Sequence, residues 1–170
     1  MQTLLIFLLL AFSPPYHPEV TDPFIIVSKE TNQLAFFDNG KLEKVYRVAT
    51  GATQDLTPAG LFTVTVKAKD PYYRKKDIPG GDPKNPLGSR WIGFDAKGTD
   101  GRIYGIHGTN QPSSIGENVS QGCIRSNNNE VEQLYEQVPI GAKILIVEND
   151  RDFLSLYEDY VRQEMKKRLQ

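Results

Sequence analysis

The dipeptide Asn39-Gly40 constrains the fold of this chain more than any other short stretch. It separates two apolar segments within QLAFFDNGKLEKVYRVATG. Two-residue hairpin turns require positive φ angles, which Asn and Gly adopt more readily than other residues. We therefore predict a β-hairpin centred on this dipeptide, near the start of the ordered chain.

Other stretches also have the pattern of short strands. GLFTVTVKAK alternates strictly, which predicts that Phe62, Val64, Val66 and Ala68 share one face of a strand. Further strands are expected at FIIVS, WIGFD, RIYGIHG and AKILIVE. The order is strands first and helices later, without βαβ alternation, so we predict a mainly β fold, a sandwich or barrel with appended helices.

Two apolar patterns at helical spacing predict the helices. NNNEVEQLYEQV begins with Asn127 and Glu130 as a cap-like pair, which places one helix shortly after residue 123. DFLSLYEDYVRQEMKKRLQ predicts a C-terminal amphipathic helix, with a packed face formed by Leu154, Tyr157, Val161 and Met165.

The chain divides into one β-rich domain, residues 24–148, and terminal segments. Residues 1–13 contain nine consecutive apolar residues, Leu4 to Phe12, which is too short for a membrane span and fits a signal peptide or signal anchor. The alternative is a buried N-terminal segment, since no Lys or Arg precedes the run. Residues 14–23 are a Pro-rich linker, and residues 149–170 are the C-terminal helix packed on the domain. We expect an exported, extracytoplasmic monomer, attached to a membrane only through an uncleaved leader.

The segment 69–90 is rich in proline and glycine and shows no periodicity. A loop of this length is functional or mobile, or else a disordered surface excursion. The net charge of −1 gives no sign of nucleic-acid binding.

Cys123 is the only cysteine, in a chain predicted to be exported, where cysteines usually pair as disulfides. Its surroundings, SQGCIRS, are polar and contain glycine, unlike those of a cysteine in an apolar core. The helix start that follows and Arg125 are both expected to lower the thiol pKa, which predicts a reactive cysteine.

A thiol nucleophile needs a base, and the chain has two histidines. His17 lies in the linker and is expected to be inert, whereas His107 ends a predicted strand. Alternatively, His107 is an ordinary hydrogen-bonded histidine. One cysteine and one well-placed histidine are too few for zinc, so neither a metal nor a cofactor is predicted.

The stretch IHGTNQPSSIGENVSQGCIRS resembles the signature of the L,D-transpeptidase catalytic domain, the YkuD-type family. That signature is a His, a short loop, and then Ser/Thr-x-Gly-Cys-hydrophobic-Asn/Arg. The upstream segment IIVSKETNQLAFFDNGKLEKVYRVATG and the TPAG that follows are also similar to the family, so the likeness covers roughly residues 24–148.

The resemblance implies that Cys123 is the nucleophile, that His107 is its general base and that the Gly108 carbonyl orients the imidazole. Gly122 and Ser120 would contribute to an oxyanion or substrate site, and Arg125 would bind a substrate carboxylate. Gln121 departs from the commonest pattern, which has a second histidine there.

By the same resemblance, the chain is expected to be a peptidoglycan L,D-transpeptidase active in cell-wall synthesis and cell shape. It would release a terminal D-Ala from stem peptides, its binding partners, and would be inhibited covalently by carbapenems. An L,D-carboxypeptidase with water as acceptor, a sortase-like transpeptidase and a non-enzymatic wall-binding or stress-sensing module remain alternatives.

Overall fold

The computed structural model describes residues 23–170. The leader predicted at 1–13, nearly all of the linker at 14–23 and His17 lie outside the described residues. Two helices are α1 (Asn128–Gln137) and α2 (Phe153–Arg168). The ten strands are β1 (Phe24–Ser28), β2 (Gln33–Asp38), β3 (Lys41–Arg47), β4 (Thr50–Gly51), β5 (Gly60–Lys69), β6 (Arg90–Phe94), β7 (Tyr104–His107), β8 (Asn118–Ser120), β9 (Ile124–Arg125) and β10 (Lys143–Val147).

Eight of the strands form one curled sheet in the order β3-β2-β1-β10-β5-β6-β7-β9, and β4 pairs with β8. Just beyond β3, Ala49 exchanges two backbone hydrogen bonds with Arg125 of β9, at 2.8 and 2.9 Å, so the two edges of the sheet meet. Apolar side chains from both halves of the sheet and from α1 therefore share one core. They include Ile25, Leu34, Ile92, Ile106, Ile124 and Leu134. The predicted mainly β fold with two helices is confirmed.

The hairpin predicted from the sequence joins β2 to β3. Asn39 and Gly40 have φ angles of 49° and 76°, so both turn positions use the left-handed region. This turn fixes the register in which β2 pairs with β3.

The prediction that alternate residues of β5 share one face is correct only for the first half of the strand. Val64 is buried in the core opposite Phe94, but the register shifts between Val64 and Val66. Such a bulge turns the following residues to the other face, because one extra residue offsets the alternation. Val66 and Ala68 consequently face away from the core.

The same bulge turns Lys67 toward the core side. Its Nζ donates hydrogen bonds to the carbonyl oxygens of Tyr135, at 2.5 Å, and Val138, at 2.7 Å, at the end of α1. Desolvation by burial lowers the pKa of Lys67. At the other end of α1, the Asn127 amide donates to the Glu130 carboxylate at 3.1 Å, so the two predicted capping residues contact each other.

Helix α2 covers the outer face of β1 and β2. Tyr157 stacks on Phe37 with ring centroids 4.4 Å apart, and Tyr160 stacks on Phe24 at 4.2 Å. The predicted packed face was wrong at Leu154, which is exposed, because the packed face is centred on Tyr157 and includes Leu156. Within residues 23–170 no helix is long and apolar enough to cross a membrane.

The Pro/Gly-rich segment is an ordered excursion between β5 and β6. Its ends meet where the Asp70 N–H donates to the Ser89 carbonyl at 2.9 Å. Inside it, the buried Asn85 amide donates to the carbonyls of Pro71 and Pro79, at 2.8 and 3.0 Å. The expectation of a disordered excursion is therefore wrong for this loop, which we call the 70–89 loop.

Candidate active site

The sheet register brings Cys123 and His107 to one face. Strands β7 and β9 are parallel, and they pair Ile106 with Ile124 and His107 with Arg125. Both isoleucines are buried in the core, so His107 and Arg125 face the opposite side of the sheet. Cys123 directly precedes β9 and by the same alternation lies on their side, next to Gly105 of β7.

His107 is held as a neutral base. Its Nδ1 lies 2.6 Å from the Gly108 carbonyl oxygen, and a carbonyl only accepts, so Nδ1 carries the proton and Nε2 has the free lone pair. Burial lowers the pKa of His107 to about 4, with a smaller contribution from Arg125, although the carbonyls of Gly108 and Leu87 oppose the shift. His107 as a whole is 4% exposed.

Trp91 covers the imidazole. It pairs with His107 across β6 and β7, and the two rings stack with centroids 5.5 Å apart. The indole lies flat on the sheet, since a Cβ on Gly105 would come within 2.6 Å of it and one on Gly93 within 2.5 Å. The two glycines in neighbouring strands thus make room for the ring.

Cys123 is a half-buried, protonated thiol. Its S–H donates to the Ile103 carbonyl at 3.3 Å. Burial raises the pKa of Cys123, although the Gly105 N–H, Lys75 and Arg125 each act in the opposite direction. The predicted lowering of its pKa is therefore wrong, because desolvation outweighs the nearby positive groups. Helix α1 begins only at Asn128, beyond the range of a strong dipole effect.

A pocket of about 380 Å³ opens beside the Cys123 sulfur. Its floor is the sheet face exposed by the bulge, with Val66, Ala68 and Trp91. The 70–89 loop contributes further lining residues, which include Tyr72 and Lys75, and the segment before β7 contributes Arg102 and Ile103. The pocket can accommodate an extended chain with an apolar part against the floor and an anionic group near the cations.

The turn before Cys123 is stabilised by the buried side chain of Ser120. The buried Ser120 hydroxyl donates to the Cys123 carbonyl at 2.6 Å and accepts from the Gly122 N–H at 3.0 Å. These contacts are those of a residue that shapes the turn, and the substrate or oxyanion role of Ser120 stays a prediction. They also occupy the Gly122 N–H, which leaves the Cys123 N–H as the nearer candidate for an oxyanion donor.

The chain was compared with protein families, and the L,D-transpeptidase catalytic domain model, YkuD, matches residues 22–146. The chain belongs to this family. YqjB of Bacillus subtilis (strain 168), which its name places among the L,D-transpeptidases, is 61% identical over 137 residues, covering 81% of this chain and 78% of YqjB. YkuD of the same organism is 34% identical over 134 residues, covering 76% of this chain and 71% of YkuD.

Solved L,D-transpeptidases share the fold of this family member. An L,D-transpeptidase from Mycobacterium smegmatis aligns with a TM-score of 0.59 at 21% identity, over 74% of this chain and 58% of that one. The Enterococcus faecium C442S mutant aligns with 0.60 at 23% identity, over 77% and 52%. L,D-transpeptidase 3 from Mycobacterium tuberculosis, in complex with a faropenem-derived adduct, aligns with 0.58 at 20% identity, over 74% and 60%. The chain thus spans little more than half the length of these solved proteins.

Arg125, at the position where the family motif has Asn or Arg, lies on the same sheet face as the cysteine. Its charge lowers the pKa of both Cys123 and His107, which puts the guanidinium within electrostatic reach of both. It is half-buried, and its backbone is fixed by the bridge to Ala49. This placement suits a carboxylate bound beside the thiol.

Two further residues of this L,D-transpeptidase site were not selected from the sequence. The Asn128 side chain accepts from the N–H groups of Ser89 and Thr109, both at 3.2 Å, and donates to the Thr109 carbonyl at 3.1 Å. It therefore ties the end of the 70–89 loop to the segment that follows His107. The second residue, Thr57, contacts the turn before Cys123. The TPAG similarity was the available signal for Thr57, and nothing in the sequence distinguishes Asn128 from its two neighbouring asparagines.

Proposed function

We propose that this protein is a peptidoglycan L,D-transpeptidase that uses Cys123 for acyl transfer between stem peptides. The observation that carries the proposal is the shared sheet face. The pairing of β7 with β9 supports a common side of the sheet for Cys123 and His107, and the Nδ1 proton of the neutral His107 is held by the Gly108 carbonyl. Membership of the L,D-transpeptidase family supports the same chemistry.

The first half-reaction starts from a neutral thiol and a neutral imidazole. As Sγ attacks the carbonyl carbon of the acyl donor, the thiol proton leaves the Ile103 carbonyl and passes to Nε2 of His107. The tetrahedral intermediate then collapses to a thioester, and the leaving amine of D-Ala takes that proton from His107. The Gly108 carbonyl stabilises the imidazolium that exists between these two steps.

Oxyanion stabilisation falls to the backbone beside the nucleophile. The Gly122 N–H is engaged by Ser120, so we assign the developing negative charge to the Cys123 N–H. Arg125 and Lys75 are the cations we assign to the carboxylates of a stem peptide, because both act electrostatically on Cys123.

The second half-reaction transfers the acyl group to an amine. His107 takes a proton from the incoming amine, which attacks the thioester and expels the Cys123 thiolate, and the thiolate then recovers the proton. The mostly apolar pocket favours an amine on a bulky acceptor over water, because the floor offers few partners for an ordered water. Hydrolysis by water remains the carboxypeptidase alternative.

Covalent inhibition and cellular location follow from the same chemistry. A carbapenem presents a strained amide carbonyl to Cys123, and we expect it to leave a stable acyl-enzyme. The faropenem-derived adduct of the Mycobacterium tuberculosis protein supports this expectation.

Because peptidoglycan lies outside the cytoplasmic membrane, we also propose that the protein acts there.

The decisive experiment incubates residues 14–170 with a disaccharide-tetrapeptide and analyses the products by mass spectrometry. A cross-linked dimer that has lost one D-Ala supports transpeptidation, whereas tripeptide alone supports the carboxypeptidase. The matched control is Cys123→Ala, which retains the fold but has no thiol. Full activity of that variant, or no product from the parent protein, contradicts the proposal.

A further inference from the structure

We infer that Thr57 is a positioning residue for acyl transfer, acting on Cys123 through the peptide bond that joins it to Gly122. This inference rests on the proposed function. The Thr57 hydroxyl donates to the Gly122 carbonyl oxygen at 3.0 Å and accepts from the Gly51 N–H at 2.8 Å. A hydroxyl can do both with one oxygen, so an apolar side chain of the same shape loses both bonds. Thr57 is completely buried, and it therefore does not contact substrate.

The bond to Gly122 fixes the direction of the Cys123 N–H. The Gly122 carbonyl and the Cys123 N–H belong to one planar peptide unit, and in a trans peptide they point in opposite directions. No cis peptide bond occurs among the described residues. By holding the carbonyl on the buried side, Thr57 directs the N–H away from the TPAG segment. That N–H is the donor we assign to the oxyanion.

The turn has little freedom to adopt another orientation while this contact exists. Gly122 has a φ of 122°, in the region that favours glycine. A Cβ at this position would lie 2.6 Å from the Leu56 carbonyl oxygen, so the turn rests directly against the residue that precedes Thr57. Ser120 holds the opposite side of the same turn through the Gly122 N–H.

Lys29 anchors Thr57 to the sheet. Its side chain is 2% exposed, and its ammonium donates to the Thr57 carbonyl at 2.8 Å, the Gln54 carbonyl at 2.5 Å and the Glu148 carboxylate at 2.5 Å. The three donors of a lysine are thus matched by three acceptors. Lys29 directly follows β1 and Glu148 directly follows β10, so the central strands hold the segment that contacts the nucleophile's turn.

Acylation and alkylation of Cys123 depend differently on the Thr57 hydroxyl. Acylation of the thiol builds negative charge on a carbonyl oxygen and therefore depends on an oriented N–H. Alkylation by iodoacetamide displaces iodide at a saturated carbon, with no oxyanion, and depends on thiolate formation and access. Loss of the Thr57 hydroxyl should impair the first reaction selectively.

The test measures single-turnover acylation by p-nitrophenyl acetate and alkylation by iodoacetamide, with the rates of Cys123→Ala subtracted as background. Complete loss of one oxyanion donor slows catalysis by roughly 10²–10³, so we expect Thr57→Val, in which the donor is misdirected, to lose about tenfold or more in acylation. Alkylation should stay within about twofold, because the thiol itself is unchanged. Thr57→Ser keeps the hydroxyl and should restore acylation.

Equal slowing of both reactions, wild-type acylation by Thr57→Val, or failure of Thr57→Ser to restore acylation would overturn the inference. Thr57→Ala, which adds no volume, repeats the test if Thr57→Val does not fold. Unfolding of both variants would also overturn it, because the hydroxyl would then stabilise the fold instead of orienting one peptide. p-Nitrophenyl acetate is not a stem peptide, so this test is independent of the proposed function. If Thr57→Val slows acylation selectively but the wild-type protein does not cross-link tetrapeptides, only the proposed function is refuted.

Discussion

The Trp91 indole lies nearly parallel to the His107 imidazole, with an interplanar angle of 16°. The indole cannot easily move aside, because its Nε1–H donates to the Gly101 carbonyl at 2.8 Å. Trp91 thereby keeps water from one face of the imidazole and favours its neutral form. Trp91, which lines the pocket, thus contributes to the burial that lowers the pKa of the candidate base.

The first prediction concerns the pH dependence of acylation. Because burial lowers the pKa of His107 to about 4, kcat/KM for acylation should hold down to about pH 4 and fall only below it. Trp91→Ala exposes the imidazole, so its pKa should rise toward the ordinary value of about 6.5 and the acid limb should move upward with it. Trp91→Phe retains a stacked ring and should shift the limb less. An acid limb unchanged in Trp91→Ala would contradict the shielding role.

The second prediction concerns stability in acid. Unfolded His107 binds a proton near pH 6.5, whereas the folded protein does so only near pH 4, so the unfolded state gains protons first as pH falls. The free energy of unfolding should therefore decrease between pH 6.5 and 4, by up to about 3 kcal/mol from this residue. Urea denaturation of wild type and His107→Gln at pH 7 and 4.5 measures it. The variant should lose less stability than wild type over this interval, and an equal loss would contradict the assignment.

The third prediction concerns the thiol. Burial raises the pKa of Cys123, so the thiolate fraction is small at neutral pH. The rate of alkylation by iodoacetamide should rise about tenfold per pH unit from pH 6 to 8. Cys123 is the only cysteine, so labelling followed by intact mass reports this site alone. A rate that is already constant near pH 7 would indicate a stable thiolate and contradict the neutral pair.

The fourth prediction concerns Asn128, which joins the 70–89 loop to the segment following His107. Asn128→Ala removes three hydrogen bonds, and the net contribution of a typical hydrogen bond is about 0.5–1.5 kcal/mol of stability. It should also lower kcat/KM, because the Gly108 carbonyl that orients His107 loses its support. Asn127→Ala is the matched control, since its amide donates to Glu130 in the first turn of the same helix. Assayed well below both melting temperatures, Asn128→Ala should lose more kcat/KM than Asn127→Ala, and equal activity losses would contradict this role.

The fifth prediction concerns Lys67, whose ammonium binds the last carbonyls of α1. Lys67→Met should lower the free energy of unfolding by about 1–3 kcal/mol, because buried carbonyls lose a charged donor. Lys69→Met is the control, since Lys69 is exposed and pairs with Glu136 at 3.1 Å, a contact worth about 0–1 kcal/mol. Equal effects of the two substitutions on chemical denaturation would show that the helix-end contact is not stabilising.

Much of the fold could be predicted because its signals are local. The Asn39-Gly40 turn and the strand patterns depend on the backbone preferences of a few neighbouring residues. The bulge in β5 could not be predicted, because the alternation of GLFTVTVKAK continues through it unchanged. It lies where β5 pairs with Gly93 of β6, whose missing Cβ leaves room for Trp91. Leu154 was misplaced for a similar reason, since the packed face of α2 depends on where Phe24 and Phe37 lie.

The sequence alone determined which groups are available for chemistry: one thiol, one histidine at a strand end, and the motif that indicates the L,D-transpeptidase family. Tertiary structure decided how those groups behave. It placed Cys123 and His107 on one face through a parallel pairing that no local pattern encodes. It also reversed the expected direction of the thiol pKa, because desolvation depends on everything packed around a group, whereas sequence shows only the charges nearby in the chain.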